Sequence, residues 1–221
     1  MKKIVAIYTG KGLQDPLSNL ISQFSFSQVS IIDDTVIGEC VKASKVTDEV
    51  KERLHKYYKA AADIGADIIL NTCSSVGDIA DAFDSSVPLV RIDEAMAEKA
   101  VSLHKKIAVV ATLNTTLDPT MRLITRKANE QGKQVEIISA LAKGAFEALV
   151  AGNVEEHDDI ISRTVADITD ADCFVLAQAS MMRMEEKLRQ EKLKQSANIA
   201  IYSSPKICME WLTAKYLTEK S

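Results

Sequence analysis

Cys73 is the residue of this chain whose type and position are best suited to chemistry. It follows the apolar run 67–72 and opens the polar turn Cys73-Ser74-Ser75-Val76-Gly77-Asp78. A thiolate is a strong nucleophile and a competent proton carrier, and first-turn amides together with the helix dipole favour an anion at such a place. Ser75, with Asp78 three residues later, has the spacing of a capping box and predicts a helix start here. Cys40, Cys173 and Cys208 lack this setting and read as small packing residues. The four cysteines include no CxxC pair, so neither a zinc site nor a disulfide framework is expected and all four should be reduced thiols. His55, His104 and His157 each stand among charged residues without ligand spacing, so solvated helix faces are expected for them rather than a metal site.

Positioning such a thiol requires strands and helices in alternation. Short β-branched runs predict strands at 3–9, 28–33, 67–72, 89–92, 106–112, 134–139, 173–178 and 199–203. Helical stretches fill the intervals, the pattern of βαβ units around a parallel sheet. Residues 48–64 carry Val50, Leu54, Tyr57, Tyr58 and Ala61 at helical spacing, and Asp118-Pro119 reads as the N-cap and first turn of a helix over 121–131. The segment 205–217 also has helical periodicity.

The chain repeats itself. Lys2-Lys3-Ile4-Val5-Ala6-Ile7-Tyr8-Thr9 recurs 103 residues on as Lys105-Lys106-Ile107-Ala108-Val109-Val110-Ala111-Thr112, and Ala66-Asp67 through Ser75 recurs 105 residues on as Ala171-Asp172 through Ser180. Buried strands all look apolar, but two separate pairs at nearly one offset argue for duplication. The expected fold is therefore α/β, with two similar Rossmann-like three-layer halves related by a pseudo-twofold, residues 1–95 plus 206–221 and residues 96–205. Ligands bind at the carboxyl ends of strands in such sheets, so a site is expected in the cleft between the halves. There Cys73 would lie opposite Gln178, with Thr9 and Thr112 as a second equivalent pair.

The 221 residues, 47% hydrophobic and 26% charged, are those of an ordinary globular protein. A net charge of −4 with interspersed signs offers no basic stripe for nucleic acid. The basic and then apolar start is too short for a leader, and no window reaches the roughly 18 apolar residues of a membrane helix, so a soluble cytoplasmic protein is expected.

Asn71-Thr72-Cys73-Ser74-Ser75-Val76-Gly77, Ala111-Thr112-Leu113-Asn114-Thr115-Thr116, Ile92-Asp93-Glu94-Ala95 and the duplicated halves together resemble the aspartate/glutamate/hydantoin racemase superfamily, which includes maleate isomerase and arylmalonate decarboxylase. The resemblance covers the whole chain. It implies cofactor-independent chemistry at a carbon next to a carboxylate, in a homodimer, on a small amino acid or dicarboxylate, with Cys73 as acid/base or nucleophile. It further implies that Thr9, Asn71, Thr72, Ser74, Ser75, Thr112, Asn114, Thr115, Thr116 and Ser180 surround the substrate, their hydroxyls and turn amides gripping its carboxylate. Hydroxyls at turns are just as often helix caps. Lys11 and Arg91, near strand ends, could pair with a distal carboxylate or be ordinary surface charge.

The racemases place a second cysteine in a Gly-Cys-Thr motif of the other half, where this chain has Ala177-Gln178-Ala179. Two-base racemisation removes a proton from one face and returns it to the other, and an amide does neither. Gln178 is thus expected to orient or hydrogen-bond the substrate. The open alternatives are a one-cysteine isomerase or decarboxylase and a two-lobed small-carboxylate sensor that has lost catalysis. A shifted alignment, matching Asn71-Thr72 with the Asn-Thr after the first catalytic cysteine of glutamate racemases, would put Leu70 at the catalytic position, whereas the repeat puts Cys73 at the turn.

Overall fold

Ile4, Val5, Ala6, Ile7 and Tyr8 are all buried, and a strand buried on both faces belongs at the centre of a parallel sheet. The computed structural model, which describes residues 1–194 and 199–217, places them there. The first unit runs β1 (Lys2–Tyr8), α1 (Gln14–Ile21), β2 (Phe26–Ile32), α2 (Val36–Ala43), α3 (Asp48–Asp63), β3 (Ile68–Asn71), α4 (Gly77–Asp81) and β4 (Leu89–Arg91). After α5 (Glu94–Leu103), the second runs β5 (Lys106–Ala111), α6 (Asn114–Glu130), β6 (Glu136–Leu141), α7 (Ala145–Val150), α8 (Val154–Ala166), β7 (Cys173–Leu176), α9 (Met184–Lys194) and β8 (Ala200–Ser203). The last helix, α10 (Ser204–Leu217), groups with the first unit, whose body is Met1–Glu94, while the second is Ala95–Ser204.

The two sheets have one plan. Their strand orders are β2-β1-β3-β4 and β6-β5-β7-β8, every pairing parallel. Val5, Ile7 and Ile69 of the first sheet pack with Val50, Leu54, Tyr58 and Ala61 of α3, while Ala108, Val110, Phe174 and Leu176 of the second pack with Ile161 and Val165 of α8. Thr47 starts α3 by accepting a hydrogen bond from the Val50 amide at 3.3 Å, and Asn153 does the same for α8 with Glu156 at 3.2 Å.

The repeat seen in the sequence holds down to single hydrogen bonds. Ile4 pairs with Ile68, and their counterparts Ile107 and Cys173 pair with each other. The Asp67 carboxylate accepts from the Lys3 amide at 2.7 Å, and the Asp172 carboxylate accepts from the Lys106 amide at 2.8 Å and from the Lys105 amide at 3.0 Å. The Ala-Asp pair before each central strand is therefore a cap on its neighbour, which explains its recurrence without any chemistry.

All eight expected strands form, with shifted ends. The sixth covers Glu136–Leu141 rather than 134–139, following α6 after a turn through Gly132 at positive φ. The helix expected over 121–131 starts about two turns earlier, at Asn114. Leu113, extended and two residues after β5, is its N-cap, so Asp118-Pro119 falls inside the helix, where the proline removes one amide donor. His157 of α8 is buried, not solvated: its Nδ1 lies 2.8 Å from the half-buried Asp158 beside it and 2.8 Å from Arg183, an exposed residue 26 positions on that covers it.

The backbone bonds from Lys106 and Lys105 hold the Asp172 carboxyl below its ordinary pKa of 3.8. A carboxylate of depressed pKa contributes stability that is full above its unfolded value and is lost as pH falls through its folded one. Thermal unfolding of Asp172→Asn should therefore show a lower midpoint than the parent at pH 7, a gap that closes below about pH 3.8.

Candidate active site

The ladder between β1 and β3 ends at Ile7 and Asn71, after which the Thr72 amide donates to the Ile7 carbonyl at 3.2 Å and the Thr72 hydroxyl to the same oxygen at 2.8 Å. Continuing the register by two residues sets Cys73 abreast of Thr9. Cys73 itself is extended and serves as the N-cap of a single 3-10 turn, Ser74–Val76, which runs into the five-residue α4. The N-cap position expected at Ser75 falls one residue later, at Val76, because the 3-10 turn comes before α4. Leu70 lies inside β3, fully buried and paired with Ala6 and Val90, while Cys73 is at the strand end.

Asn71, also fully buried, fastens this turn. Its Nδ2 donates to the Cys73 carbonyl at 2.9 Å and its Oδ1 accepts from the Tyr58 hydroxyl at 3.3 Å. The Val76 amide donates to the same Cys73 carbonyl at 3.3 Å. Asn71 and Thr72 thus hold backbone. The Ser74 hydroxyl, by contrast, is buried and has no hydrogen-bond partner, and buried hydroxyls are almost always partnered.

A buried charge cluster stands behind the turn. Arg91, 2% exposed, meets Asp93 through Nε and Nη2, both at 2.9 Å, reaches Asp81 with Nη1 at 2.6 Å, and lies 3.5 Å from Asp78. Burial opposes its charge, but Asp93 and Asp81 outweigh burial and hold the guanidinium above its ordinary pKa. Arg91 is therefore a structural cation, not one waiting at a strand end for a substrate. Lys11, the first residue of the 3-10 turn Lys11–Leu13, is exposed and pairs with Asp34 at 2.6 Å.

The second unit repeats the turn with different side chains. Gln178, extended, caps the 3-10 turn Ala179–Arg183, and the Met181 amide donates to its carbonyl at 2.9 Å, the counterpart of the Val76 bond. The Gln178 amide closes on Thr112: Oε1 accepts from the Thr112 amide at 3.0 Å and Nε2 donates to its hydroxyl at 2.6 Å. Nearby in sequence, the Thr115 hydroxyl is buried without a partner, Thr116 is buried, and Asn114 and Ser180 are exposed. Ser203 of β8 holds the counterpart of the Arg91 position and bonds Glu185 of α9 at 2.5 Å through its hydroxyl, so each unit ties its edge strand to the helix after the turn.

A sequence profile of the Asp/Glu/hydantoin racemase family matches residues 15–208. The chain belongs to this family. Solved structures of the fold agree. A glutamate racemase isoform from Bacillus anthracis is 15% identical with a TM-score of 0.75, covering 99% of this chain and 83% of its own. An aspartate racemase from Picrophilus torridus is 13% identical with a TM-score of 0.75 over 97% and 94%, and an allantoin racemase from Klebsiella pneumoniae is 13% identical with a TM-score of 0.64 over 97% and 87%. No curated protein sequence matches the chain.

Two further features bear on how this family member is built. Among the described residues no group of three or more His, Cys, Asp and Glu side chains could hold a metal ion, and no helix is long and apolar enough to cross a membrane. The roles of Asp93, Asp81 and Tyr58 in holding the cysteine turn were missed from sequence. The available signal was Gly77, a glycine inside a helix start, which implies a close neighbour.

The cysteines differ sharply in their surroundings. Burial pushes the Cys40 thiol up to about 11 and the Cys173 thiol up to about 12, and raises the Cys208 thiol as well, whereas Cys73 is partly exposed. Brief treatment of the folded protein with iodoacetamide at pH 7, followed by peptide mass spectrometry, should therefore find Cys73 modified before the other three.

Proposed function

We propose that this chain is a cofactor-independent, racemase-like isomerase acting at the carbon next to a carboxylate of a small amino acid or dicarboxylate, with Cys73 as its proton-transfer group. The reading rests on one observation: of two equivalent turns, one presents a partly exposed thiol and the other an amide already closed on Thr112. A thiolate at Cys73 takes the proton α to the carboxylate, and the electron pair left behind is delocalised into that carboxylate. Hydrogen-bond donors aimed at the developing oxyanion lower the barrier. The unpartnered hydroxyls of Ser74 in the first unit and Thr115 in the second are suited to that task. Ser75, Asn114, Thr116 and Ser180 complete the set of polar turn residues proposed to face substrate.

Gln178 neither accepts nor returns a proton at neutral pH, so the two-base route has one base. The proton then returns from Cys73 to the face it left; in the decarboxylase alternative, loss of carbon dioxide itself leaves the electron pair on the α-carbon and the Cys73 thiol donates the proton that quenches it. The Gln178–Thr112 clamp also favours a second reading, a small-carboxylate sensor in which binding persists without turnover. We further propose a homodimer.

Incubation in heavy water with a panel of amino and dicarboxylic acids separates the two readings. The enzyme should wash deuterium into the α position of at least one substrate, and Cys73→Ser should reduce the exchange rate at least about 100-fold, the range of acid–base catalysis. Ligand-induced thermal stabilisation without exchange across the panel would establish the sensor. Full exchange by Cys73→Ser would remove Cys73 from the mechanism.

A further inference from the structure

We propose that Arg91 is a positioning residue for Cys73, acting through Gly77. Three observations carry this. First, α4 has five residues, too few to hold a helical conformation by itself, so its place is set by what it packs against. Second, Arg91 ties that helix to the end of β4: Asp81 and Asp78 of α4 share its Nη1, while Asp93 grips the opposite edge of the same guanidinium. Third, the contact at Gly77 leaves no room. A Cβ at that position would lie 2.3 Å from the Arg91 Cζ, 2.4 Å from Nη2 and 2.5 Å from Nε.

Gly77 has an ordinary helical backbone, so the glycine is required by the guanidinium lying against it and not by φ. Alanine normally strengthens a helix relative to glycine, so helix propensity alone makes Gly77→Ala favourable. The buried guanidinium, held on two edges by carboxylates, cannot swing aside to admit the methyl group. The methyl instead pushes Gly77 outward and with it the 3-10 turn Ser74–Val76 whose first carbonyl, that of Cys73, is bonded by Val76 and Asn71. Arg91 thereby sets where the thiol stands without touching it.

The inference rests on the reading of Cys73 as the functional thiol, but its test does not need turnover. The second-order rate of iodoacetamide addition is measured for each cysteine, by peptide mass spectrometry, in the parent, Gly77→Ala, Arg91→Lys and the double variant, with cooperative thermal unfolding recorded alongside. A displacement of about 1 Å is worth up to 100-fold in a positioned reaction, so Gly77→Ala should change the Cys73 rate by at least about fivefold. Cys40, Cys173 and Cys208 should stay protected. In the Arg91→Lys background, where the planar fork is gone, the same glycine change should leave the Cys73 rate within about twofold of Arg91→Lys alone, because the coupling partner has been removed. If Gly77→Ala does not fold, recovery of folding in the double variant gives the same answer. An unchanged Cys73 rate, simultaneous exposure of all four thiols, or an equal effect of Gly77→Ala in both backgrounds would overturn the proposal. Loss of deuterium exchange in the parent would instead strike the proposed function and leave this result standing.

Discussion

The hydrogen-bond ladder between the two central strands of each sheet determines where the side chain at the strand end can be. In the first unit it runs from Ile4 opposite Ile68 to Ile7 opposite Asn71, and its last bonds go from Thr72 to the Ile7 carbonyl. A shift of one residue would send every side chain of β3 to the other face and carry Cys73 into the sheet. Asp67 pins the near end through the Lys3 amide and Thr72 closes the far end, so both ends of the pairing are fixed by side chains. The second unit keeps the same ladder and the same Asp172 pin, and presents Gln178 where the first presents Cys73.

Beyond that ladder the first unit depends on a buried cation. Removing one partner of a buried ion pair strands the other and typically costs about 3–5 kcal/mol. Asp93 is fully buried and bound to Arg91 by two hydrogen bonds, so its charge is tolerable only with the guanidinium present. A short helix, a glycine and a buried arginine thus form one mechanical element. The second unit solves the same problem with a neutral hydroxyl, Ser203, donating to Glu185, and its turn needs no glycine at the position of Gly77, where Met182 stands.

How much of this could be read in the sequence follows from what sets each feature. Strands announce themselves by local composition, so all eight were legible, as was the duplication that makes Cys73 and Gln178 equivalents. The helix start at Asn114 was not, because Asp118-Pro119 is a strong local signal and only the extended Leu113, two residues after β5, overrides it. His157 was misplaced because its charged neighbours in sequence suggest solvent, while Asp158 and the distant, exposed Arg183 in fact lie over the buried ring. The partners of Arg91 were invisible for a different reason. Asp93 and Asp81 lie two and ten residues away, but which carboxylate a buried guanidinium chooses is decided by the strand-to-helix crossing and not by spacing.

The central claim is that a member of a racemase family carries one proton-transfer group, at Cys73, where two are needed for inversion. Chiral chromatography of a deuterium-exchanging substrate, begun separately from each pure enantiomer in heavy water, tests it most directly. A single thiol predicts that one enantiomer gains deuterium with its configuration retained while the other is inert. Deuterium uptake accompanied by inversion from both enantiomers at matching rates would show a second base at work and contradict the account.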